Sequence, residues 1–507
     1  MGALIILSAA LPIIAGALLL LSLTAERRCA KGPAREVAEP SAQKLRVLHL
    51  QVLVILSISA LLAMTAAWSG EHEITLFELI KGIPVYFHTD GITCLFVTLS
   101  SLVWLLSGIY SFVYMKHEGK EKRFYGFYLM SYGVLLGLSF SGNLVTMYLF
   151  YELLTLASMP MVLHNGSREA IMAALKYLFY SLCGAYLGLF GIYFLYQYCD
   201  TLAFVPGGSL NLGLAQGKEG ILLLAVFLMI LGFGAKAGML PLHAWLPAAH
   251  PVAPSPASAV LSGMIAKAGV LATIRVVFYV VGPDFIRGTW VQTVWMTLTL
   301  LTVFMGSMMA YRERVLKKRL AYSTVSQISY ILFGLSVLSP TAMTGSLLHV
   351  VFHSIIKCSL FLIAGIFIFQ CRKTEVSELA GIGKRMPKTL WCYTFASLAL
   401  IGIPPASGFI SKWYLAQGAM EAGVGAFGWI GPVILLISAL LTAGYLLPIT
   451  LKGFFPGREG AGLSVENQEP VLRMLVPVAI LAALAVILGL FPNLLVSFFS
   501  QIAGTVM

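Results

Sequence analysis

Residues 221–241 read Ile221-Leu-Leu-Leu-Ala-Val-Phe-Leu-Met-Ile-Leu231-Gly-Phe-Gly-Ala-Lys236-Ala-Gly-Met-Leu-Pro241. The apolar part is continuous, whereas a strand of a membrane barrel alternates over ~10 residues. At about 1.5 Å of rise per residue, a helix of this length reaches across a ~30 Å hydrocarbon core and satisfies its own backbone groups. Comparable stretches fall near residues 3–23, 47–68, 92–115, 124–141, 142–163, 170–198 and 220–240, then 255–281, 289–311, 320–338, 342–370, 389–421, 427–451 and 474–500. Of the 507 residues, 59% are hydrophobic and 11% charged, against roughly 25% charged in a soluble domain. A soluble globular fold is excluded. The expected fold is an all-α polytopic membrane protein with about 14 transmembrane helices. Residues 1–24 carry no Lys or Arg ahead of their apolar run, so they read as a retained first helix rather than a cleaved signal.

The chain has 33 Lys and Arg against 21 Asp and Glu, a net charge of +12. Loops after odd-numbered stretches hold 24 of the 33 basic residues, in clusters such as Arg27–Arg46, Lys116–Arg123, Arg312–Arg319 and Arg372–Lys388. Loops after even-numbered stretches hold only Lys81, Lys218 and Arg287. The positive-inside rule then puts the odd-numbered loops in the cytoplasm and both termini on the outer side of a prokaryotic-type inner membrane. A basic face toward anionic lipid accounts for the charge without nucleic acid. Seven cysteines (Cys29, Cys94, Cys183, Cys199, Cys358, Cys371 and Cys392) form no C-x-x-C pair. No phosphate-binding G-x-x-x-x-G-K-[ST] run occurs, and no G-x-G-x-x-G follows a strand. The chain therefore shows no redox or nucleotide site of its own.

The remaining six basic residues fall inside the stretches: Lys176, Lys236, Lys267, Arg275, Lys357 and Lys412, with Glu152 as the one acid deep in a span. A charge at mid-membrane costs at least a few kcal/mol, so such groups line a pathway, pair, or extend to headgroups. Lys176 and Arg275 lie within reach of helix ends and fit an interfacial anchor. Lys236, Lys267 and Lys357 are flanked on both sides by apolar or small residues, which makes that escape harder. His349, His353 and Lys357 recur at i, i+4 and i+8 and form one stripe along a helix, as a proton relay requires. Zinc binding by the histidine pair lacks further ligands and any H-E-x-x-H, and simple backbone satisfaction of the rings is the plainer alternative.

Proline interrupts two of the stretches, at Gly238-Met-Leu-Pro241 and at Gly402-Ile-Pro-Pro405, with Lys236 before one break and Lys412 after the other. Interrupted helices at corresponding positions of two halves point to inverted repeats with ion sites at the breaks, where a plain proline kink is the alternative. A buried lysine can be switched between its charged and neutral forms as a carboxylate approaches or withdraws. Glu152 reaching Lys236 would supply such a switch, with Lys267 passing the proton on.

These residues resemble a known family. Gly232-Phe-Gly-Ala-Lys236-Ala-Gly-Met-Leu-Pro-Leu-His243-Ala-Trp-Leu-Pro-Ala-Ala-His250 is similar to the signature of the antiporter-like, proton-conducting subunits of respiratory complex I, of Mrp-type cation/proton antiporters and of energy-converting hydrogenases and formate hydrogenlyase. Tyr151-Glu152-Leu, Lys318-Arg-Leu-Ala-Tyr-Ser-Thr-Val-Ser-Gln327, His349-x3-His353-x3-Lys357 and Gly402-Ile-Pro-Pro-Ala-Ser-Gly-Phe-Ile-Ser-Lys412 extend the likeness over roughly residues 90–420. The resemblance implies fourteen helices with two inverted five-helix repeats. Residues 1–123 would hold the first three helices, 124–281 and 289–451 the repeats (helices 4–8 and 9–13), each with a broken helix, and 474–507 the last. It implies Glu152 and Lys236 as an ion pair, Lys267 as central carrier, His349, His353 and Lys357 as connecting relay, Lys412 as terminal lysine, and Lys176 and His243 as further pathway residues.

Two departures bear on the branch. Complex I and Mrp members usually carry an acid where this chain has Ala248, and Ala249-His-Pro-Val-Ala-Pro-Ser-Pro-Ala-Ser-Ala259 resembles the hydrogenase branch, while Ala321–Gln327 is nearer the complex I and Mrp style. With little sequence after the expected last helix, a long lateral helix is not expected, as in an internal or Mrp D-like subunit. The expected function is proton translocation in a redox-driven assembly, hydrogenase-like or complex I-like, with iron–sulfur clusters and nickel–iron in partner subunits and no cofactor in this chain. The alternatives are an Mrp-type Na⁺/H⁺ antiporter subunit, a solute carrier or a structural membrane anchor. The expected partners are membrane and peripheral subunits, the bilayer, H⁺ and Na⁺.

Overall fold

The computed structural model describes residues 1–29, 42–457 and 468–507; residues 30–41, part of the Arg27–Arg46 cluster, and 458–467, with Arg458, lie outside the described residues. Helices α1 (Gly2–Cys29) and α2 (Ala42–Trp68) lead into a hairpin of β1 (Glu73–Ile80) and β2 (Ile83–His88), paired antiparallel. The hairpin departs from the all-helical expectation. Its signal was the β-branched and aromatic run on either side of the two-residue Lys81-Gly82 turn, with Gly82 at φ 86°.

Next come α3 (Gly91–Glu118), α4 (Glu121–Phe140), α5 (Leu144–Val162), α6 (Arg168–Tyr198) and α7 (Glu219–Ala237). Past the first break stands a short helix, Leu246–Val252, so the interrupted span runs further than residue 240. α8 (Ser255–Val281), α9 (Trp290–Arg312), α10 (Leu316–Ser336) and α11 (Pro340–Cys371) follow. The second interrupted span divides into α12 (Pro387–Ile401) and α13 (Ser407–Glu421), followed by α14 (Phe427–Phe454). The expected last helix at 474–500 is instead two, α15 (Leu472–Leu490) and α16 (Asn493–Val506), separated at Phe491-Pro492, where the missing proline N–H stops the first.

Among the described residues, eleven helices are long and apolar enough to cross a membrane. The expected spans at 124–141, 320–338 and 389–421 correspond to α4, α10 and the α12–α13 pair, which fall outside that set. α12 and α13 have 15 residues each. α10 opens on Leu316-Lys-Lys-Arg and buries Ser323, Thr324, Ser326, Gln327 and Ser329, so its polarity points inward.

α8 is buried throughout its most apolar stretch and α11 nearly so, while α1, α2 and α14 keep much of their apolar surface exposed, as helices facing lipid do. α11 runs through the middle of the molecule against α3, α8, α10, α12, α13, α15 and α16. α6 meets α7 through facing glycines. A Cβ on Gly184 would lie 2.3 Å from the Gly232 carbonyl oxygen, and one on Gly232 would lie 2.3 Å from that of Gly184. Small residues at such a crossing let two membrane helices touch backbone to backbone. That contact holds α7, and the lysine at its end, in place.

Candidate functional site

Lys236 sits in the last turn of α7, fully buried, and α7 ends one residue later at Ala237, with Gly238, φ 83°, as its cap. Its ammonium donates to the Tyr151 carbonyl oxygen of α5 at 2.8 Å and lies 3.7 Å from the centre of the Tyr151 ring. A cation over an aromatic face regains part of the solvation it loses on burial. Glu152, the next residue of α5, is half-buried, and its Oε1 has no hydrogen-bond partner. The two charges are electrostatic neighbours without a direct ion pair, so the predicted pair is present as a separated one. The carbonyl of Ala235, in the last turn of α7, accepts the Gly238 N–H at 3.1 Å and the indole N–H of Trp245, beyond the break, at 2.8 Å.

From there the buried ionisable groups continue along α8 and α11. Lys267 follows a π-helical turn at Leu261–Ile265, and its ammonium donates to the Ser262 carbonyl oxygen at 2.5 Å. Such wide turns tend to mark functional positions in helices. Ser262 shares a hydroxyl bond of 2.8 Å with Thr324 of α10, which ties α8 to the polar face of that helix. Lys357 of α11 donates to the Leu320 carbonyl oxygen at 3.0 Å and to the Ser323 hydroxyl of α10.

The stripe expected on α11 is present and buried throughout. His349 and His353 stack with ring centres 5.9 Å apart, and the electrostatic neighbours of His353 are Lys267, Lys357, His349 and Lys412. Both ring nitrogens of His353 and Nε2 of His349 lack a partner. His349 Nδ1 lies 2.9 Å from the Ser411 hydroxyl of α13, and its ring stacks on Tyr330 of α10. Lys412, half-buried, donates to the Leu400 and Ile401 carbonyl oxygens at 2.7 and 2.8 Å, at the end of α12, and stands 5.3 Å from the Tyr330 ring. Gly402, φ 90°, leaves the room this takes, since a Cβ there would meet Lys412 Cδ at 3.0 Å.

Seven of the nine predicted site residues thus follow one another through packed helices: Glu152 and Lys236, then Lys267 on α8 where it packs against α7, and then Lys357, His353, His349 and Lys412, with Glu152 and Lys412 half-buried. Lys176 does not join this row. It is exposed on α6 and lines an open cavity with Glu169, Phe179, Ala248 and Val252. His243 is half-buried at the first break, with Lys176 as its electrostatic neighbour, so it looks toward that cavity instead.

Arg275 is not an interfacial anchor. It is buried and bidentate to Asp90, the N-cap of α3, at 2.5 and 2.9 Å, between the rings of Phe204 and Tyr279. Burial would raise the Asp90 carboxyl, but the Arg275 charge, its hydrogen bonds, and those from Thr93 hold it at about 2.

Sequence reasoning missed Ser411, Tyr330, Trp245, Gln327 and His250. Gln327 is fully buried with neither end of its amide partnered, one turn along α10 from Ser323 and Thr324 and one before Tyr330. Helical spacing alone places Ser323, Gln327 and Tyr330 on the face that follows the row. His250 was legible as the one ionisable residue between His243 and Lys267.

This architecture is shared with known proteins. Residues 141–442 match the family described as NADH:quinone oxidoreductase/Mrp antiporter, TM. NADH-quinone oxidoreductase subunit N of Desulforudis audaxviator is 32% identical over 79% of this chain and 81% of its own length. Hydrogenase-4 component B of Escherichia coli is 31% identical over 79% of this chain, which spans 62% of that relative. A chain in the structure of the Mrp complex from Dietzia sp. DQ12-45-1b superposes with a TM-score of 0.82 at 20% identity, covering 100% of this chain and 98% of its own, a likeness of fold. The relatives and structural neighbours are subunits of multisubunit membrane complexes. The chain is a multi-pass membrane protein and belongs to the NADH:quinone oxidoreductase/Mrp antiporter transmembrane family, as an antiporter-like subunit of complex I, Mrp or hydrogenase-type assemblies.

Proposed function

We propose that this chain carries protons across the membrane within a redox-driven assembly of the energy-converting hydrogenase or complex I-like type. The observation that carries the reading is the row from Glu152 and Lys236, through Lys267, Lys357, His353 and His349, to Lys412. A row of amines and imidazoles with a single carboxylate suits protons better than Na⁺, which binds through several oxygen ligands. Movement of Glu152 toward or away from Lys236 changes the charge that Lys236 can hold, and the row relays that change toward Lys412. Relatives named for quinone reduction and for hydrogenase-4 support a redox partner, as does the Ala249–Ala259 stretch.

In this reading the chain crosses an inner membrane of prokaryotic type fourteen times, with both termini outside. Residues 124–281 and 289–451 form the inverted repeats, and iron–sulfur and nickel–iron groups reside in partner subunits. A second reading, an Mrp-type Na⁺/H⁺ antiporter subunit, is favoured by the end-to-end match to the Mrp chain. Purification of the tagged chain in mild detergent, with mass spectrometry and a metal assay of what accompanies it, separates the two. Iron–sulfur proteins with nickel support the first, and small membrane proteins without iron support the second. Lys236→Ala and Glu152→Gln are expected to abolish proton movement in either assembly; full coupling in both variants would remove the basis of the proposal.

A further inference from the structure

The polar stripe of α11 runs His349, His353, Lys357 at every fourth residue, and the next position is Phe361. At that point another element supplies the ionisable group. The ring of His250, from the short helix Leu246–Val252, stacks on Phe361 with centres 4.6 Å apart. His250 is fully buried, and neither ring nitrogen has a hydrogen-bond partner. The charged groups facing it are Lys317 of α10, Lys357 of α11 and Lys267 of α8.

Lys317 lies one turn from Leu320, whose carbonyl holds Lys357, on the side toward the basic loops. It is 5% exposed and donates to the Ala253 carbonyl oxygen at 2.5 Å. Its electrostatic partner is Glu118, the half-buried last residue of α3, on the same side. Glu118 also neighbours Tyr114, whose hydroxyl accepts from Ser255 at 3.3 Å.

We infer that Glu118, Lys317 and His250 form the route by which protons pass between the central lysines and the membrane face carrying the basic loops. The inference rests on the proton-translocation reading and deepens it. A proton taken up at the Glu118 carboxylate moves to the Lys317 amine, and the ammonium so formed gives it to one ring nitrogen of His250. The imidazolium releases the proton on its other nitrogen to the Lys357 or Lys267 amine, and a turn of the ring restores the starting tautomer. Each group gains and loses one proton, with water bridging the longer hops.

The test uses the full assembly in proteoliposomes, with proton uptake driven by an imposed K⁺ diffusion potential and followed by an internal pH dye. His250→Gln keeps hydrogen-bonding capacity but cannot ionise, and it is expected to slow uptake at least about tenfold, as removal of a positioned acid–base group does. Lys317→Met is expected to do the same with normal assembly. Imidazole added on the basic-loop side of His250→Gly should restore a large part of the rate, a recovery that a packing role would not give. Native rates in His250→Gln with a dead Lys267→Ala control would overturn this route and leave the translocation reading standing. Native rates in both would overturn the translocation reading itself.

Discussion

Breaking the Asp90–Arg275 pair tests how α8 is fixed at the end nearest the hairpin. Arg275 is 2% exposed and Asp90 14%, with two guanidinium–carboxylate bonds between them. The fall of the Asp90 carboxyl from 3.8 to about 2 corresponds to about 2.4 kcal/mol of stability at neutral pH. Because the folded value lies below the unfolded one, that stability is fully present above about pH 4 and is lost as pH falls through about 2. Removing one partner of a buried pair costs about 3–5 kcal/mol, since the other charge stays uncompensated. Asp90→Asn keeps one oxygen acceptor, so a cost of about 3 kcal/mol is expected. The assay is reversible unfolding in mixed micelles followed by tryptophan fluorescence, for Asp90→Asn, Arg275→Met and the double variant. Coupling of at least about 1.5 kcal/mol is expected, together with a flatter acid limb in Asp90→Asn. Effects that add to within about 0.5 kcal/mol, or an unchanged acid limb, would refute the reasoning.

Two further outcomes follow from geometry away from the row. His164 is buried after α5, with Nε2 3.0 Å from the Gly119 carbonyl oxygen; burial outweighs that bond and, with Arg123 and Lys120 nearby, pushes the imidazole down to about 4. Its folded value lies below the ordinary 6.5, so stability is full above that pH and declines by about 3 kcal/mol as pH falls toward 4. His164→Gln should flatten that part of the unfolding profile. Gly184→Leu would drive a side chain into the Gly232 carbonyl, 2.3 Å from its Cβ, and should cost about 1–3 kcal/mol, measured as a lower denaturation midpoint with the mass of the assembly unchanged.

Much of the row was legible because a charge inside an apolar helix is costly and therefore meaningful. Lys236, Lys267, Lys357 and the two histidines of α11 each stand out in their own helix, and all are buried where the sequence placed them. What sequence could not convey was direction across helices. Lys176 and Arg275 look alike in a linear reading, yet one faces outward from α6 and the other is buried between the rings of Phe204 and Tyr279. Arg275 found Asp90 185 residues away, a pairing no local pattern encodes. Neutral partners were silent for another reason. Gln327, Tyr330 and Ser411 are ordinary residues of membrane helices, and only the approach of α10 and α13 to α11 gives them a part. The hairpin was hidden by its length, since the search for spans of about 20 residues passes over strands of six and eight.

The two broken helices are finished differently, and that difference separates the roles of their lysines. At the second break Lys412 holds the last carbonyls of α12, those of Leu400 and Ile401, against the negative end of that helix. At the first break the Ala235 carbonyl takes the Gly238 N–H and the Trp245 indole N–H, and Lys236 caps no carbonyl of its own helix end but extends to Tyr151 beside Glu152. Lys412 is thus part of what ends its helix, whereas Lys236 rests on a carbonyl inside α5 and a ring face, contacts it can leave without unmaking a helix end. Lys412→Met should therefore strip two carbonyls of their donor and cost about 1–3 kcal/mol. Lys236→Met removes a buried charge and leaves no helix terminus open, so its stability should stay within about 1 kcal/mol of native or rise. Unfolding both variants under one set of conditions decides the point. Equal losses would mean that Lys236 is as much a structural cap as Lys412, and the switch would then have to lie in Glu152 alone.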